Sequence, residues 1–379
     1  MSVSPAPSSP DIAVIGGGIV GLWCALAAAR RGARVTLIEK RTIGAGASGG
    51  MLGALMPHQP VGWNEKKQFQ LDGLLSLPDR IADLEAATGL SCGYHRVGRL
   101  MPIAHPEKRR QSAQWADGAK THWPDGLGWR VDDANPAPGW LADTSMPHGV
   151  NHDTLSARLD PRGLVAALRT VLDGDGHVTI AETTAVSGVA RDGSLALSDG
   201  RAITPGATII AAGTGAFPLI DPDDPARIGR GVKGQGALLR PRNPLDPDRP
   251  ILYDKGTYVI AHESGLVAVG STSEDGFDAP DTTDRKLDAL LDTARDLCPA
   301  LAGAGIVERW AGVRPRAAGR EPLIGPLPGY ANTIVATGGF KITFAIAHLM
   351  ADAAVGFGLG DAPSLPAIFR PEHRLAPTG

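Results

Sequence analysis

The segment from Asp11 to Glu39 constrains the fold of this chain more than any other part of its sequence. An apolar run of strand length, Ile12 to Ile15, comes first, and a helix-forming Ala-rich run and a second apolar run follow later. Between the first two runs, three glycines have the spacing G-x-G-x-x-G: Gly16, Gly18 and Gly21. Together these features predict a βαβ unit that binds a dinucleotide.

Each residue type of this motif has its own physical role. Gly16 permits the tight turn, Gly18 lets the backbone approach the phosphates, and Gly21 lets helix and strand pack closely. The pyrophosphate is expected at the helix N-terminus, where free N–H groups and the helix dipole favour an anion. Glu39, which ends the second apolar run, is expected to accept hydrogen bonds from ribose hydroxyls. The motif alone does not separate FAD from NAD.

Composition narrows the class of protein. The 379 residues suffice for two domains, and 43% hydrophobic with 20% charged residues is typical of a soluble globular protein. The net charge of -3 gives no electrostatic reason to expect nucleic acid as a partner. Three scattered cysteines without a C-x-x-C pair favour a reduced, cytoplasmic compartment and predict no metal site. The sequence predicts neither a signal peptide nor a transmembrane span.

Apolar patterning beyond the motif predicts further helices and strands. Helices are expected at Gln68–Ala87, which Pro78 would kink or divide, and at Leu159–Leu172, Asp284–Leu297 and Lys341–Gly356. Strands are expected at Gly98–Ile103, Ala207–Ala212, Ile251–Ala261, Gly265–Gly270 and Thr333–Ala336, with the third and fourth antiparallel around a turn at His262–Gly265. Residues from Gly89 to about Pro147 resemble an inserted region of short strands.

Eight segments in a fixed order carry a resemblance to a known family. They are DIAVIGGGIVG, VTLIEK, GASGGMLGA, RLDPRGL, TIIAAGTGAF, GVKGQG, WAGVRPRAAGREPLIG and ATGGFKITFAIA. In this order they resemble the D-amino-acid oxidase superfamily of flavoproteins, nearest to glycine oxidase and sarcosine oxidase, over most of residues 11–360. The resemblance implies FAD as the dinucleotide. No cysteine lies near Gly339, where some relatives attach the flavin, so noncovalent FAD is expected.

The resemblance also implies the architecture. The expected fold is α/β, with a Rossmann-like FAD-binding domain interleaved with an α+β substrate domain built on a mainly antiparallel sheet. The expected FAD-binding domain comprises residues 11–88, 148–225 and 305–365, the substrate domain residues 89–147 and 226–304, and the tails residues 1–10 and 366–379.

Candidate cofactor residues follow from the same resemblance. Besides the motif glycines and Glu39, they are Lys40, Ala47, Ser48, Gly50, Met51, Gly53, Val186, Ala211, Gly213, Arg314, Gly338, Gly339, Phe340, Lys341 and Ile342. Val186 matches a residue that touches the adenine, although a plain core valine is equally expected. The N–H groups of residues 338–342 are expected to stabilise negative charge on the reduced flavin.

Three residues are candidates for direct roles toward the substrate. Arg314 matches an arginine that clamps the substrate carboxylate, and a guanidinium fork suits that group; an interdomain salt bridge is the alternative. Tyr258 matches a tyrosine that contacts the same carboxylate, with core packing as the alternative. Lys341 matches a cationic residue near the flavin, although a capping or surface lysine fits the pattern nearly as well. Weaker pocket candidates, each open to a packing role, are Tyr253, His58 and Trp310.

The implied reaction is oxidation of the C–N bond of a small amino acid or secondary amine. Hydride passes from the carbon beside the amine to flavin N5, the imine hydrolyses, and oxygen as the expected acceptor gives hydrogen peroxide. Ser273 stands where sarcosine oxidase-like enzymes carry an oxygen-activating lysine, so another acceptor stays open.

Three other functions stay open on sequence alone. One is a dehydrogenase of the same fold that reduces a quinone or electron-transfer protein and acts on a D-amino acid, imino acid or 2-hydroxy acid. Another is a tRNA-modifying FAD domain, which the acidic net charge disfavours. The last is a non-enzymatic flavin-binding module. The presence of both Arg314 and Tyr258 disfavours it, because together they indicate a substrate pocket. The particular amine and the oligomeric state cannot be inferred from the sequence.

Overall fold

The computed structural model describes residues 9–375, so most of the predicted N-terminal tail and the last four positions lie outside the described residues. The fold divides into two compact units. Unit 1 comprises the chain up to Ser48, Val165–Gly231 and the chain from Arg314, and unit 2 comprises Gly49–Leu164 and Val232–Val313.

The strands, in chain order, are β1 (Ile12–Ile15), β2 (Val35–Ile38), β3 (Ala54–Leu55), β4 (Arg99–Pro102), β5 (Trp129–Asp132), β6 (Val150–Asp153), β7 (Ala157–Arg158), β8 (Val178–Ala181), β9 (Val186–Val189), β10 (Leu195–Leu197), β11 (Ala202–Ile203), β12 (Ala207–Ile210), β13 (Gly229–Arg240), β14 (Ile251–Asp254), β15 (Thr257–Ala261), β16 (Val267–Gly270), β17 (Gly305–Ala317), β18 (Leu323–Pro326) and β19 (Thr333–Thr337). The α-helices are α1 (Ile19–Arg30), α2 (Glu65–Thr88), α3 (Pro106–His122), α4 (Pro161–Asp173), α5 (Ala216–Ile220), α6 (Pro225–Ile228), α7 (Arg285–Leu297), α8 (Thr343–Gly358) and α9 (Pro371–Arg374).

Unit 1 is built on a six-stranded sheet with the order β18-β19-β12-β1-β2-β8. The pairs from β19 to β8 are parallel, and only β18 joins antiparallel. Every residue of β1, β12 and β19 is buried, as expected for parallel strands covered on both faces. The parallel pairing of β1 with β2 around α1 confirms the predicted βαβ unit. A small sheet of β9, β10 and β11 completes this unit.

Helices α1 and α8 pack against each other beside this sheet. The stretch Phe340–Gly358 is long and apolar enough to span a membrane by length and composition alone. However, 56% of its most apolar window is buried inside the protein. Burial of this extent is typical of a helix in the core of a folded protein.

Unit 2 is built on an eight-stranded sheet with the order β17-β13-β16-β15-β14-β4-β6-β5. The successive pairs from β13 to β14 and from β4 to β5 are antiparallel, and β14 pairs with β4 in parallel, so the predicted mainly antiparallel sheet is confirmed. Along each strand, successive side chains point to opposite faces. Leu100, Leu252 and Val259 pack in the core that contains residues of α7. The other face, which we call the Tyr258 face, carries the apolar cluster of Met51, Ile251, Tyr258, Ile260 and Ala268.

Pro78 does not divide α2, contrary to one predicted outcome. A proline removes the N–H that would bond the carbonyl four residues earlier, here that of Leu74. The guanidinium of Arg96 donates to this carbonyl at 3.3 Å instead. A hydrogen bond from outside the helix thus replaces part of what the proline removes.

The strand predicted at Ile251–Ala261 is a hairpin of β14 and β15. Its turn lies at Lys255 and Gly256, which both have positive φ, at 46° and 97°. Two successive positive φ values suit the two-residue turns of tight hairpins. The antiparallel pairing predicted around the turn at His262–Gly265 is confirmed by β15 and β16.

Two further parts of the chain differ from the predictions. Helix α3 lies in the region predicted to hold short strands, and its buried residues are only Ser112, Trp115 and Ala119, which is too sparse an apolar stripe to recognise. Residues 366–375 are not a loose tail, because Phe369 is fully buried and α9 follows it.

The limits of the two units differ from the predicted domain limits. Residues 49–88 and 148–164 belong to unit 2, whereas the sequence places them with the FAD-binding domain. The antiparallel pairing of β3 with β7 is internal to unit 2. The assignment of cofactor and substrate roles to the two units remains a proposal.

Candidate active site

The glycine motif forms the turn between β1 and α1 in unit 1. A Cβ on Gly21 would lie 1.8 Å from the carbonyl oxygen of Gly16, which no real contact allows. Gly16 has φ of 109°, and a Cβ there would lie 2.7 Å from the carbonyl oxygen of Ala211. Both positions therefore require glycine for close backbone packing, as predicted from their spacing.

Glu39 braces this turn from the end of β2. One carboxylate oxygen accepts a 2.7 Å hydrogen bond from the N–H of Gly17, and the other accepts a 2.8 Å bond from the N–H of Arg41. A carboxylate has about four acceptor positions, so both oxygens can still accept from a ligand hydroxyl. Glu39 thus holds the glycine turn in addition to its predicted contact with ribose. The next residue, Lys40, is exposed.

Ser48 completes the start of α1. The N-cap position is Gly18, which has no side chain to accept hydrogen bonds. Instead the buried Ser48 hydroxyl accepts from the N–H of Ile19 at 2.9 Å. The first turn of α1 contains no acidic residue that would repel an anion. Ser48 is preceded by Ala47 in a short 3-10 turn.

The second predicted cofactor segment lies beside the same turn. Ala211 follows β12, and its carbonyl oxygen approaches Gly16. The carbonyl of Gly213 accepts a 3.0 Å hydrogen bond from the hydroxyl of Thr337 at the end of β19. The structure thus brings together the ends of β1, β12 and β19, which is where parallel sheets bind ligands. Val186 lies in β9 and packs against the neighbouring apolar core.

These residues fit the ADP part of FAD. The turn permits close backbone approach, and the start of α1 presents N–H groups without a nearby first-turn carboxylate. Glu39 retains acceptor positions suited to ribose hydroxyls. The residues that would hold the cofactor in unit 1 are Gly16, Gly18, Gly21, Glu39 and Ser48.

The predicted segment at residues 338–342 connects β19 to α8. Gly338 has φ of 78°, and a Cβ there would lie 2.5 Å from the Cβ of Ala317. Phe340 has φ of 51°, a left-handed conformation that costs a bulky residue about 1 kcal/mol or more. Its carbonyl accepts a 2.9 Å bond from the Thr343 hydroxyl at the start of α8. Residues Phe340–Ile342 form a 3-10 turn that leads into this helix.

Three cationic side chains surround the Phe340 ring in unit 1. The guanidinium carbons of Arg314 and Arg316 lie 5.9 Å and 5.6 Å from the ring centroid, and Lys341 Nζ lies at 5.8 Å. We call these three residues with Phe340 the cationic cluster. The two arginines are two positions apart in β17, and such residues share one face of a strand. Three cationic side chains around one ring are an arrangement that suits an anionic ligand group.

Lys341 has an unusual protonation equilibrium. Although part of the side chain reaches solvent, surrounding protein atoms and the neighbouring Arg314 charge lower the pKa of its ammonium group to about 8. Both causes disfavour the charged form. Lys341 is therefore a cation at neutral pH that loses its charge in a mildly alkaline solution.

The predicted cofactor loop continues into unit 2 with Gly50, Met51 and Gly53. The buried ring of His262 bonds the Met51 carbonyl at 2.9 Å through Nε2. Burial lowers the pKa of His262, which favours the neutral ring as the donor. Gly53 has φ of 65°, and a Cβ there would lie 1.8 Å from the carbonyl oxygen of Leu159.

The predicted substrate tyrosine belongs to an aromatic pair in unit 2. Tyr258 and Tyr253 are directly opposite each other in β15 and β14, and their ring centroids lie 4.8 Å apart in an edge-to-face arrangement. Tyr258 is buried, and Tyr253 and Trp310 are partly buried in the same apolar cluster. The structure therefore places all three on the Tyr258 face.

His58 lies in the same unit, in the loop before α2. Its backbone N–H donates to the side-chain oxygen of Gln70 at 3.0 Å, and its ring nitrogen Nδ1 contacts the same oxygen. The amide of Gln70 donates to the Met56 carbonyl at 2.8 Å. Burial lowers the pKa of His58, and the charges of Lys66, Lys67 and Arg99 lower it further.

Sequence reasoning missed two residues of these groups. Arg316 escaped notice although its spacing from Arg314 along a strand places both on one face. His262 was assigned only to a turn, and nothing in the sequence indicates that its ring reaches the Met51 carbonyl.

Comparisons with known proteins agree with this geometry. A family model described as FAD dependent oxidoreductase matches residues 11–353. The glycine oxidase of Pseudomonas aeruginosa is 30% identical over 97% of this chain and all of that protein. The crystal structure of glycine oxidase from Geobacillus kaustophilus superposes with a TM-score of 0.84 at 21% identity, covering 95% of this chain and 98% of that one. Iminodiacetate oxidase from Chelativorans sp. gives a TM-score of 0.84 at 23% identity with the same coverage.

The family match spans nearly the whole chain and includes both glycine-rich segments, the Tyr258 face and the cationic cluster. The resemblance found in the eight sequence segments is therefore confirmed, and so is FAD as the cofactor. This chain belongs to the FAD dependent oxidoreductase family and is an enzyme of the D-amino-acid oxidase type, similar to glycine oxidase.

Proposed function

We propose that this enzyme oxidises the C–N bond of a small amino acid or secondary amine that carries a carboxylate, with oxygen as the electron acceptor. The observation that carries the proposal is the cationic cluster of Arg314, Arg316 and Lys341 around Phe340. Glycine oxidase and iminodiacetate oxidase, two relatives of this chain, are both named for substrates that combine an amine with a carboxylate.

Arg314 is the proposed carboxylate clamp. A guanidinium offers two parallel N–H donors to the two oxygens of a carboxylate, which fixes the substrate in one orientation. Its contact with the Phe340 ring limits the positions that the guanidinium can take. A fixed substrate needs less reorganisation before it reacts, and this is the main contribution such a residue makes to rate.

Lys341 is proposed to contribute positive charge at the same cluster. Arg316 adds to this potential from the same strand face as Arg314. Bound FAD supplies the hydride acceptor, and the protein supplies orientation and charge. We further propose that Tyr258 contacts the substrate carboxylate through its hydroxyl.

The test is Arg314→Ala in the FAD-loaded enzyme. Truncating one partner of a hydrogen-bonded charge pair costs about 2–5 kcal/mol, so kcat/KM for an amino carboxylate is expected to fall about 30-fold or more. Arg309→Ala is the matched control, because this arginine lies in the same strand and pairs with exposed Asp288 at 2.8 Å. Its kcat/KM is expected to stay near that of the wild type.

Two results would contradict the carboxylate clamp: an unchanged kcat/KM in Arg314→Ala, or an equal loss in both variants. Measuring hydrogen peroxide per amine oxidised tests the acceptor separately. A yield near one supports oxygen, and reduction of a dye without peroxide supports a dehydrogenase instead.

A further inference from the structure

We propose that Phe340 is a positioning residue, whose ring holds the guanidinium of Arg314 in place for a ligand carboxylate. This inference rests on the proposed function and adds the residue that keeps the carboxylate clamp fixed. All members of the cationic cluster belong to unit 1.

The backbone of Phe340 has a conformation that a bulky residue rarely adopts. Its φ of 51° lies in the left-handed region, which glycine adopts without strain. Gly338, in the same turn, has φ of 78°. Strained residues persist only where their surroundings hold them, and they cluster at functional sites. A ring at this position therefore indicates a role that glycine could not fill.

Two backbone contacts hold the turn of Phe340 against β17. Gly339 forms an antiparallel bridge with Arg316. Gly338 approaches Ala317 so closely that a Cβ on it would lie 2.5 Å from the Ala317 Cβ. The ring is therefore carried by a turn that is tied to the end of the strand that bears both arginines.

The Phe340 ring lies within reach of three cations. The guanidinium carbons of Arg314 and Arg316 lie 5.9 Å and 5.6 Å from its centroid, and Lys341 Nζ lies at 5.8 Å. The negative face of an aromatic ring attracts a cation within about 6 Å. This attraction does not use the N–H donors of a guanidinium, which a carboxylate requires. The ring can therefore fix Arg314 and leave its donors to the ligand.

The like charges of the cluster repel each other. Arg314 and Arg316 are two positions apart on one strand face, which places their Cα atoms about 7 Å apart. Burial and the Arg314 charge lower the pKa of Lys341 to about 8, so this repulsion acts within the cluster. Repulsion and rotamer freedom both favour long side chains that spread into solvent. The attraction of the ring opposes this and keeps Arg314 in one place.

A positioned guanidinium has a selective effect on ligands. Because it is already in place, it loses less freedom when it binds a carboxylate. Removing the ring should therefore weaken the binding of carboxylates and leave ligands without a carboxylate unaffected. A general effect on folding would weaken the binding of both.

Binding of acetate and of its neutral analogue acetamide to the FAD-loaded enzyme tests this role. Their dissociation constants follow from changes in the flavin spectrum. Phe340→Leu keeps an apolar side chain but no ring, so it should bind acetate about 10-fold more weakly than the wild type and acetamide equally well. Phe340→Tyr keeps the ring and should bind acetate within about 2-fold of the wild type.

Phe357→Leu is the matched control. Phe357 is also a partly exposed aromatic residue of unit 1 with a cation near its ring, the guanidinium carbon of Arg370 at 5.7 Å. It lies in α8, outside the cationic cluster. This variant should bind acetate as the wild type does. Phe340→Met, which also lacks a ring, replaces Phe340→Leu if that variant takes up no FAD.

Turnover gives a second readout within each variant. The ratio of kcat/KM for sarcosine to kcat/KM for dimethylamine reports on the carboxylate and is insensitive to a general loss of active enzyme. This ratio should fall about 10-fold in Phe340→Leu. It should stay within about 2-fold of the wild-type value in Phe340→Tyr and Phe357→Leu.

Three results would overturn the positioning role of Phe340: unchanged acetate binding in Phe340→Leu, an equal loss for acetate and acetamide, or an equal loss in Phe357→Leu. If Arg314→Ala loses acetate while Phe340→Leu retains it, the clamp stands and the role of Phe340 fails. If no amine bleaches the flavin, the proposed function fails, and the acetate comparison still decides the role of Phe340.

Discussion

Replacing Gly21 by alanine tests how the opening motif supports cofactor binding. The new Cβ would lie 1.8 Å from the Gly16 carbonyl oxygen, whereas real Cβ contacts begin at 3.0 Å. The Gly16 carbonyl oxygen must therefore move away by roughly 1.2 Å. Because this oxygen belongs to the backbone of a tight turn, rotation of a side chain cannot provide the space. The start of α1 must move away from the end of β1.

The expected loss of FAD affinity in Gly21→Ala follows from two opposing contributions to the free energy. Overpacking costs about 1–3 kcal/mol, and a backbone obstacle places Gly21→Ala at the upper end of that range. Alanine in a helix is more favourable than glycine by about 1 kcal/mol. The remaining cost of about 2 kcal/mol in the conformation that binds FAD corresponds to a roughly 30-fold weaker affinity.

The assay is titration of the apoprotein with FAD, followed by quenching of flavin fluorescence. Gly188→Ala in β9 is the matched control, because a Cβ there meets nothing within 4 Å and its φ is not positive. The control should bind FAD within about 2-fold of the wild type. If Gly21→Ala also binds FAD as tightly as the wild type, the proposed role of this close contact is refuted.

Two other substitutions give sharp expectations. Ser48→Ala removes the acceptor for the Ile19 N–H and should lower the free energy of unfolding by about 0.5–2 kcal/mol in denaturant titrations. Ser48→Thr keeps a hydroxyl and should retain most of the wild-type stability. Equal stability of Ser48→Ala and wild type would contradict the capping role. Lys341 loses its proton as pH rises through about 8, whereas arginine stays charged, so kcat/KM of the wild type should decline relative to Lys341→Arg above that pH. A constant ratio of the two profiles across this range would show that the charge of Lys341 does not contribute.

The FAD-binding core could be predicted because its constraints are local. A strand, three glycines, a helix and an acidic residue within 29 positions determine a βαβ unit, and β1, α1 and β2 form as expected. Gly21 is required by its contact with the Gly16 carbonyl, five positions earlier, which the spacing of the motif already implies. The contact of Gly16 with Ala211 joins residues far apart in the sequence and is visible only in the structure.

Other features depend on long-range contacts and left little trace in sequence. Helix α2 continues through Pro78, and Arg96, 18 positions later, donates to the carbonyl that the proline leaves. The Met51 carbonyl is bonded by a histidine 211 positions away. Arg99 is an ordinary strand residue in sequence, and only pairing with β6 and β14 reveals its buried, partly unsatisfied guanidinium.

The candidate substrate residues were found through family resemblance, since a lone arginine or tyrosine in a strand has many roles. The structure adds what resemblance could not: Arg316 and Lys341 join Arg314 around one phenylalanine ring. Their roles in catalysis remain predictions.

The most direct test of the central claim is anaerobic addition of amines to the FAD-loaded enzyme while the visible flavin spectrum is recorded. We predict that a small amino carboxylate such as sarcosine or glycine bleaches the flavin, and that dimethylamine or methylamine, which lack the carboxylate, do so far more slowly. A protein that takes up no FAD, a flavin that no amino carboxylate bleaches, or equal bleaching by the amines without a carboxylate would contradict the account.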